Sequence, residues 1–108
     1  MDIFPEDETG NILREFQKHG FDLSRPMEID FFVAVPSKSA GEKVASKAQA
    51  LGFQVSVEQD DETKEWTCYC AKKLIPNYHD IVSIENDLMS ISKPLGGCAD
   101  GFGSYGNV

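Results

Sequence analysis

Cys68 and Cys70 are the first residues in this sequence to suggest chemistry, because two thiols one residue apart can share a metal ion. On an extended strand, however, side chains two positions apart point to the same face, which suits a pair of core positions equally well. Zinc sites usually combine CxxC knuckles with a second pair of ligands, and only Cys98, His19 and His79 remain here as soft donors. In a βαββαβ α+β sandwich a central strand separates the strand of Cys98 from that of Cys68. The thiols are therefore read as core, with no metal and no cofactor expected. Cys98 has no local nucleophile motif around it. His79 falls in the first turn of a helix and reads as a solvent-facing neighbour of the cap rather than as a general base. Asp60, Asp61 and Glu62 lie in a turn that lacks the glycine of an EF-hand loop, so they read as solvated. Gly96-Gly97 and Gly101-x-Gly103 do not stand between a strand and a helix, and the phosphate-cradle readings fail on that context. No catalytic residue is assigned, and the chain is not expected to be an enzyme.

Phe32 and Tyr69 carry a different possibility. If both point away from the helices, they lie side by side on an open sheet face, like the stacking aromatics of an RNA-binding sheet. Glu28 and Asp30 share the Phe32 face and would repel a phosphate backbone. A cover by the N-terminal helix, or a protein contact, is the preferred reading of that face. A small-ligand or enzymatic site on it is the alternative.

The element that would position these residues is the stretch from Pro26 to Pro36. Met27, Ile29, Phe31, Val33 and Val35 alternate onto one apolar face, with Glu28, Asp30, Phe32 and Ala34 on the other. A proline at each end removes a donor and restricts the preceding residue. So apolar a strand belongs in the middle of a sheet.

Upstream of it, the sequence predicts a loose acidic arm over residues 1–8 and a short helix from about Thr9 to His19. Ile12, Leu13 and Phe16 form the stripe of that helix. Downstream the apolar period changes from 2 to 3.6. Ser39 and Glu42 have capping-box spacing, Ala40, Val44, Ala48 and Leu51 share a face, and Gly52 ends the helix. Phe53 to Glu58 alternates as a strand with Phe53, Val55 and Val57 inward. The charged turn Gln59–Lys64 joins it to a second strand from Glu65 to about Lys73. In that strand Trp66, Cys68 and Cys70 are preferred over Thr67, Tyr69 and Ala71 as the inward set. Asn77 caps a second long helix through Ile81, Ile84, Leu88 and Ile91, and Cys98–Phe102 forms a last short strand.

The predicted class is therefore α+β, a ferredoxin-like βαββαβ sandwich with a four-stranded antiparallel sheet and two helices on one face. Right-handed crossovers place both helices together. A short helix precedes the sandwich, which divides the chain into residues 1–25 (arm, helix and connector) and 26–108 (sandwich domain).

At 108 residues the chain has enough length for one packed core. Its 41% apolar and 26% charged residues exclude wholesale disorder. No apolar run approaches the roughly 20 residues that span a bilayer, and the N-terminus lacks the pattern of a signal peptide. With an odd number of cysteines, three, a cytoplasmic protein is expected. The net charge of −8 disfavours direct nucleic-acid binding; on charge alone it reads first as solubility, with a basic protein partner as the sharper reading. Oligomeric state is not legible.

Ile29-Asp-Phe-Phe-Val-Ala-Val-Pro36, Ala50-Leu-Gly-Phe-Gln-Val55, Leu74-Ile-Pro76 and Asp100-Gly-Phe-Gly103 together resemble the regulator of ribonuclease E activity B family, from about Gly20 to Tyr105. The resemblance implies a ferredoxin-like fold and a non-enzymatic cytoplasmic inhibitor that binds ribonuclease E. In the last motif the family commonly carries tryptophan where this sequence has Phe102. Asp100, Gly101, Phe102 and Gly103 are read as a structural turn closing the final strand. Some family members continue into a long acidic tail. Here the candidate contacts with ribonuclease E, or another basic partner, are Asp2, Glu6, Asp7 and Glu8 in the arm and Glu58, Asp60, Asp61, Glu62 and Glu65 around the hairpin.

Overall fold

A computed structural model describes residues 4–106. Alternation in the Pro26–Pro36 stretch produces strand β1, Met27–Val35, whose five apolar positions are all buried. Strand β2 covers Gln54–Gln59, β3 Trp66–Leu74 and β4 Cys98–Gly103. They form one antiparallel sheet in the order β2-β3-β1-β4, so β1 and β3 are the two central strands. Helix α1 spans Glu8–Lys18, α2 Lys38–Ala50 and α3 Tyr78–Ser92, followed by a short 3-10 turn at Lys93–Leu95. Over the described residues the protein is thus α+β, with a four-stranded antiparallel sheet and three α-helices.

The parity of β3 follows the bulkier set. Cys68 and Cys70 are fully buried and Trp66 packs against the core, whereas Thr67, Tyr69 and Ala71 turn to the other face. Asn77 caps α3 as its sequence implies, accepting the Asp80 N–H at 2.9 Å.

Three local expectations are corrected. The N-cap of α2 is Ser37 rather than Ser39. Pro36 ends the strand, Ser37 is still extended, and its hydroxyl accepts the Ala40 N–H at 3.1 Å. Leu51 is half exposed rather than buried, because the helix has ended before it and the buried face runs through Gly41, Val44, Ala45 and Ala48. Residues 4–8 are not loose. Phe4 packs against the core, the Arg14 guanidinium donates to the Phe4 carbonyl at 3.0 Å, and Asp7 caps α1.

Helix α1 also does not cover the open sheet face. Its buried Leu13 and Phe16 join the core shared by α2, α3 and the apolar side of β1. The Phe16 ring stands edge-on to Phe102 at 5.7 Å, and Phe102 in turn lies 5.8 Å from Phe31 on the inward face of β1. All three helices therefore occupy one side of the sheet. The other side has no cover among the described residues.

Candidate partner-binding surface

The uncovered face follows from strand register. Phe32 pairs with Tyr69, Ala34 with Thr67, Asp30 with Ala71 and Glu28 with Lys73 across β1 and β3. Side chains directly opposite one another on an antiparallel pair lie on the same face. The Phe32 and Tyr69 rings meet edge to face, 5.6 Å apart at 82°, both half-buried. On the far side of β3, Ser56 faces Tyr69 and Glu58 faces Thr67. On the β4 side, Gly103 faces Asp30, and a β-carbon there would come within 3.3 Å of the Phe32 ring.

Strand β4 reaches this position through a bulge. Phe31 pairs with Phe102 and Val33 with Ala99, so β4 spends one residue more than β1 between those pairs. Gly101 takes up the excess at φ +97°, in the left-handed region. Within the final motif, Phe102 is therefore a core residue, Gly101 shapes the bulge, Gly103 lies under Phe32, and Asp100 is exposed beside it.

Four of the predicted hairpin acids meet at one end of the sheet. Glu58, Asp60, Asp61 and Glu65 line a cavity of about 400 Å³, together with Gln59, Thr63, Thr67 and Tyr69, and no basic residue contributes to it. Glu62 is exposed on the same loop but does not line the cavity. Asp60 has a structural task as well. Its carboxylate accepts the Thr63 N–H at 2.9 Å and the Glu62 N–H at 2.8 Å, and these bonds, Thr63 first, hold it below the usual carboxylate range. Lys64 takes a left-handed backbone at φ 64° to close the turn.

The arm acids lie elsewhere. Asp7 and Glu8 sit beside α3 and β4, the opposite edge strand, in a cavity of about 320 Å³ shared with Thr9, Tyr78 and Glu85. Asp7 accepts the Gly10 N–H at 2.7 Å and the Tyr78 hydroxyl. Those bonds, the Tyr78 one first, lower its carboxyl, and Asp7 in turn raises the Tyr78 hydroxyl. Thr9 donates to Glu85 at 2.7 Å. Glu6 is exposed, and Asp2 lies outside the described residues. The two acidic groups are therefore separate, at opposite edges of the sheet.

Sequence reasoning missed Glu85, which takes part in the arm cluster through the hydrogen bond from Thr9, 76 positions away, a separation no local pattern reveals. It also named Glu28, Asp30, Phe32 and Tyr69 as a face without counting the two acids among the contacts. Cys68 and Cys70 are buried free thiols with sulfurs 3.8 Å apart, and Cys98 is exposed. Among the described residues, no group of three His, Cys, Asp or Glu side chains could hold a metal ion, and no helix is long and apolar enough to cross a membrane.

A family model described as regulator of ribonuclease activity B matches residues 6–104, nearly the whole chain. Among curated proteins there is no significant match.

Proposed function

The chain belongs to the family of regulators of ribonuclease activity B, and from that premise we propose that it is a non-enzymatic cytoplasmic regulator that binds a basic segment of ribonuclease E through an acidic surface. The observation that carries this reading is the convergence of Glu58, Asp60, Asp61 and Glu65 on one base-free cavity, in a chain with a net charge of −8. Grouped carboxylates that form no ion pair among the described residues attract a cationic segment at long range and raise its rate of encounter. Once docked, such a protein inhibits by occupying the enzyme's basic surface and excluding RNA from it. The arrangement β4-β1-β3-β2, with α2 and α3 on one face, further supports reading the domain as a ferredoxin-like sandwich.

The test is a titration of the full chain against purified ribonuclease E at low and at moderate salt, with RNA cleavage followed in parallel. Binding that weakens as salt rises, together with slower cleavage, is expected. Absence of binding at both salts would overturn the proposal.

A further inference from the structure

Three features of the uncovered sheet face combine. First, Phe32 and Tyr69 form an edge-to-face aromatic pair at its centre, half-buried, with Gly103 leaving room beneath the Phe32 ring. Second, the positions of β1, β2 and β3 on this face carry Glu28, Asp30 and Glu58 as acids against one base, Lys73. Neither Glu28 nor Asp30 uses its carboxylate in an ion pair or hydrogen bond among the described residues. Third, Tyr69 and Thr67 border the acid-lined cavity at the hairpin end, so the aromatic pair and that cavity are continuous. From the level of Ala34 to that of Glu28 the track runs along six strand positions, or about 20 Å, which an extended peptide of about six residues spans.

We propose that this open sheet face is where the basic segment docks, and that it selects arginine: guanidinium groups stack on Phe32 and Tyr69 while Glu28, Asp30 and Glu58 take up their charge. The inference rests on the reading that the partner is a basic ribonuclease segment, and it names the recognition chemistry and the place. A planar guanidinium stacks on an aromatic ring and forms paired bonds to a carboxylate. A lysine ammonium is a strongly hydrated point charge and gains less from both. Single-stranded RNA could stack on the same rings, but its phosphates would lie against Glu28 and Asp30, which disfavours it.

The experiment compares two double charge reversals that change net charge equally. Glu28→Lys with Asp30→Lys alters the open face; Glu42→Lys with Asp87→Lys alters the helical side. Circular dichroism and thermal melts establish that each variant is folded. The open-face pair should weaken ribonuclease E binding by at least about tenfold and the helix-side pair by less than about threefold, as expected for contact charges against remote ones.

In parallel, amide chemical shifts of the full wild-type chain are followed as an arginine-containing hexapeptide, its lysine counterpart or a single-stranded oligonucleotide is added. Shifts confined to the neighbourhood of Phe32 and Tyr69, with arginine binding more tightly than lysine, support the proposal. Equal losses from both reversals overturn the docking face and leave the partner standing. Failure of the wild-type chain to bind the enzyme overturns the partner, and the peptide shifts alone then decide the face. Shifts elsewhere, no shifts, or tighter binding of the oligonucleotide would each overturn it.

Discussion

The Thr9 hydroxyl donates a 2.7 Å hydrogen bond to the Glu85 carboxylate and so ties the first turn of α1 to the middle of α3. Thr9 is buried and Glu85 half-buried, at a point where Asp7 and Glu8 add like charge. Burial raises the Glu85 carboxyl, the Thr9 bond opposes that, and Glu8 and Asp7 reinforce it. A carboxyl raised in the folded state makes its ionised form a cost at neutral pH. That cost fades as the pH falls through the raised value towards its ordinary 4.5. Glu85→Gln keeps an oxygen acceptor for Thr9 and removes the charge. It should raise stability at pH 7 by no more than about 1 kcal/mol, since the site is partly solvated, and the gain should vanish near pH 4.5. Thermal unfolding across that range measures it, and a lower melting temperature for the variant at pH 7 would contradict the assignment.

Gly10 is where the arm crosses α1. A β-carbon at that position would clash with the Pro5 carbonyl oxygen, which is backbone and must move as a whole. In the interior of an exposed helix, glycine to alanine ordinarily stabilises by up to about 1 kcal/mol. Here the sign should reverse, with Gly10→Ala costing about 1–3 kcal/mol as an overpacked contact. Because the strain acts on residues 4–8 and not on the sheet, limited proteolysis near Pro5 should accelerate as well. Unchanged cleavage there would show that the arm is not held by this contact.

Much of the fold was legible because its patterns are local. Alternation marked β1, the capping asparagine marked α3, and bulk decided the parity of β3, which in turn placed Tyr69 beside Phe32. The position of α1 was not legible. A stripe of Ile12, Leu13 and Phe16 can cover either face of a sheet, and the residue that settles it, Phe102, lies more than 80 positions away. The candidate surface was half legible. Runs of acid identified the hairpin, but that Asp7 and Asp60 spend their carboxylates on backbone N–H groups depends on turn geometry the sequence does not spell out.

The three cysteines should separate cleanly by reactivity. Cys70 is held protonated by the adjacent Cys68 sulfur and by burial, so it offers no thiolate to an electrophile, and neither side chain is accessible. A thiol reagent should label Cys98 in the native protein and the other two only on unfolding. Cys68→Ser would place a hydroxyl among apolar neighbours at a cost of about 1–3 kcal/mol, whereas Cys98→Ser should be nearly neutral. Rapid native labelling of two or more thiols would mean that the β1–β3 core opens far more readily than its burial implies.

Gly101 and Gly103 stand two residues apart in the same motif, yet alanine should affect them differently. Gly101 has φ +97°, so a side chain there strains the backbone whatever space surrounds it. Gly101→Ala should destabilise by about 1–2 kcal/mol and, once folded, should bind its partner as the wild type does. At Gly103 the obstacle is the end of the Phe32 ring, at 3.3 Å from the added carbon. That ring lies on the open face, and it can tilt outward by a few tenths of an ångström without disturbing the core. Gly103→Ala should therefore change stability by less than about 1 kcal/mol while altering the angle between Phe32 and Tyr69. If that pair is the platform for arginine, the second variant loses affinity for an arginine peptide and the first does not. Equilibrium unfolding and peptide titration of the same two proteins give both readouts. An intact arginine preference in Gly103→Ala would remove Phe32 from the platform.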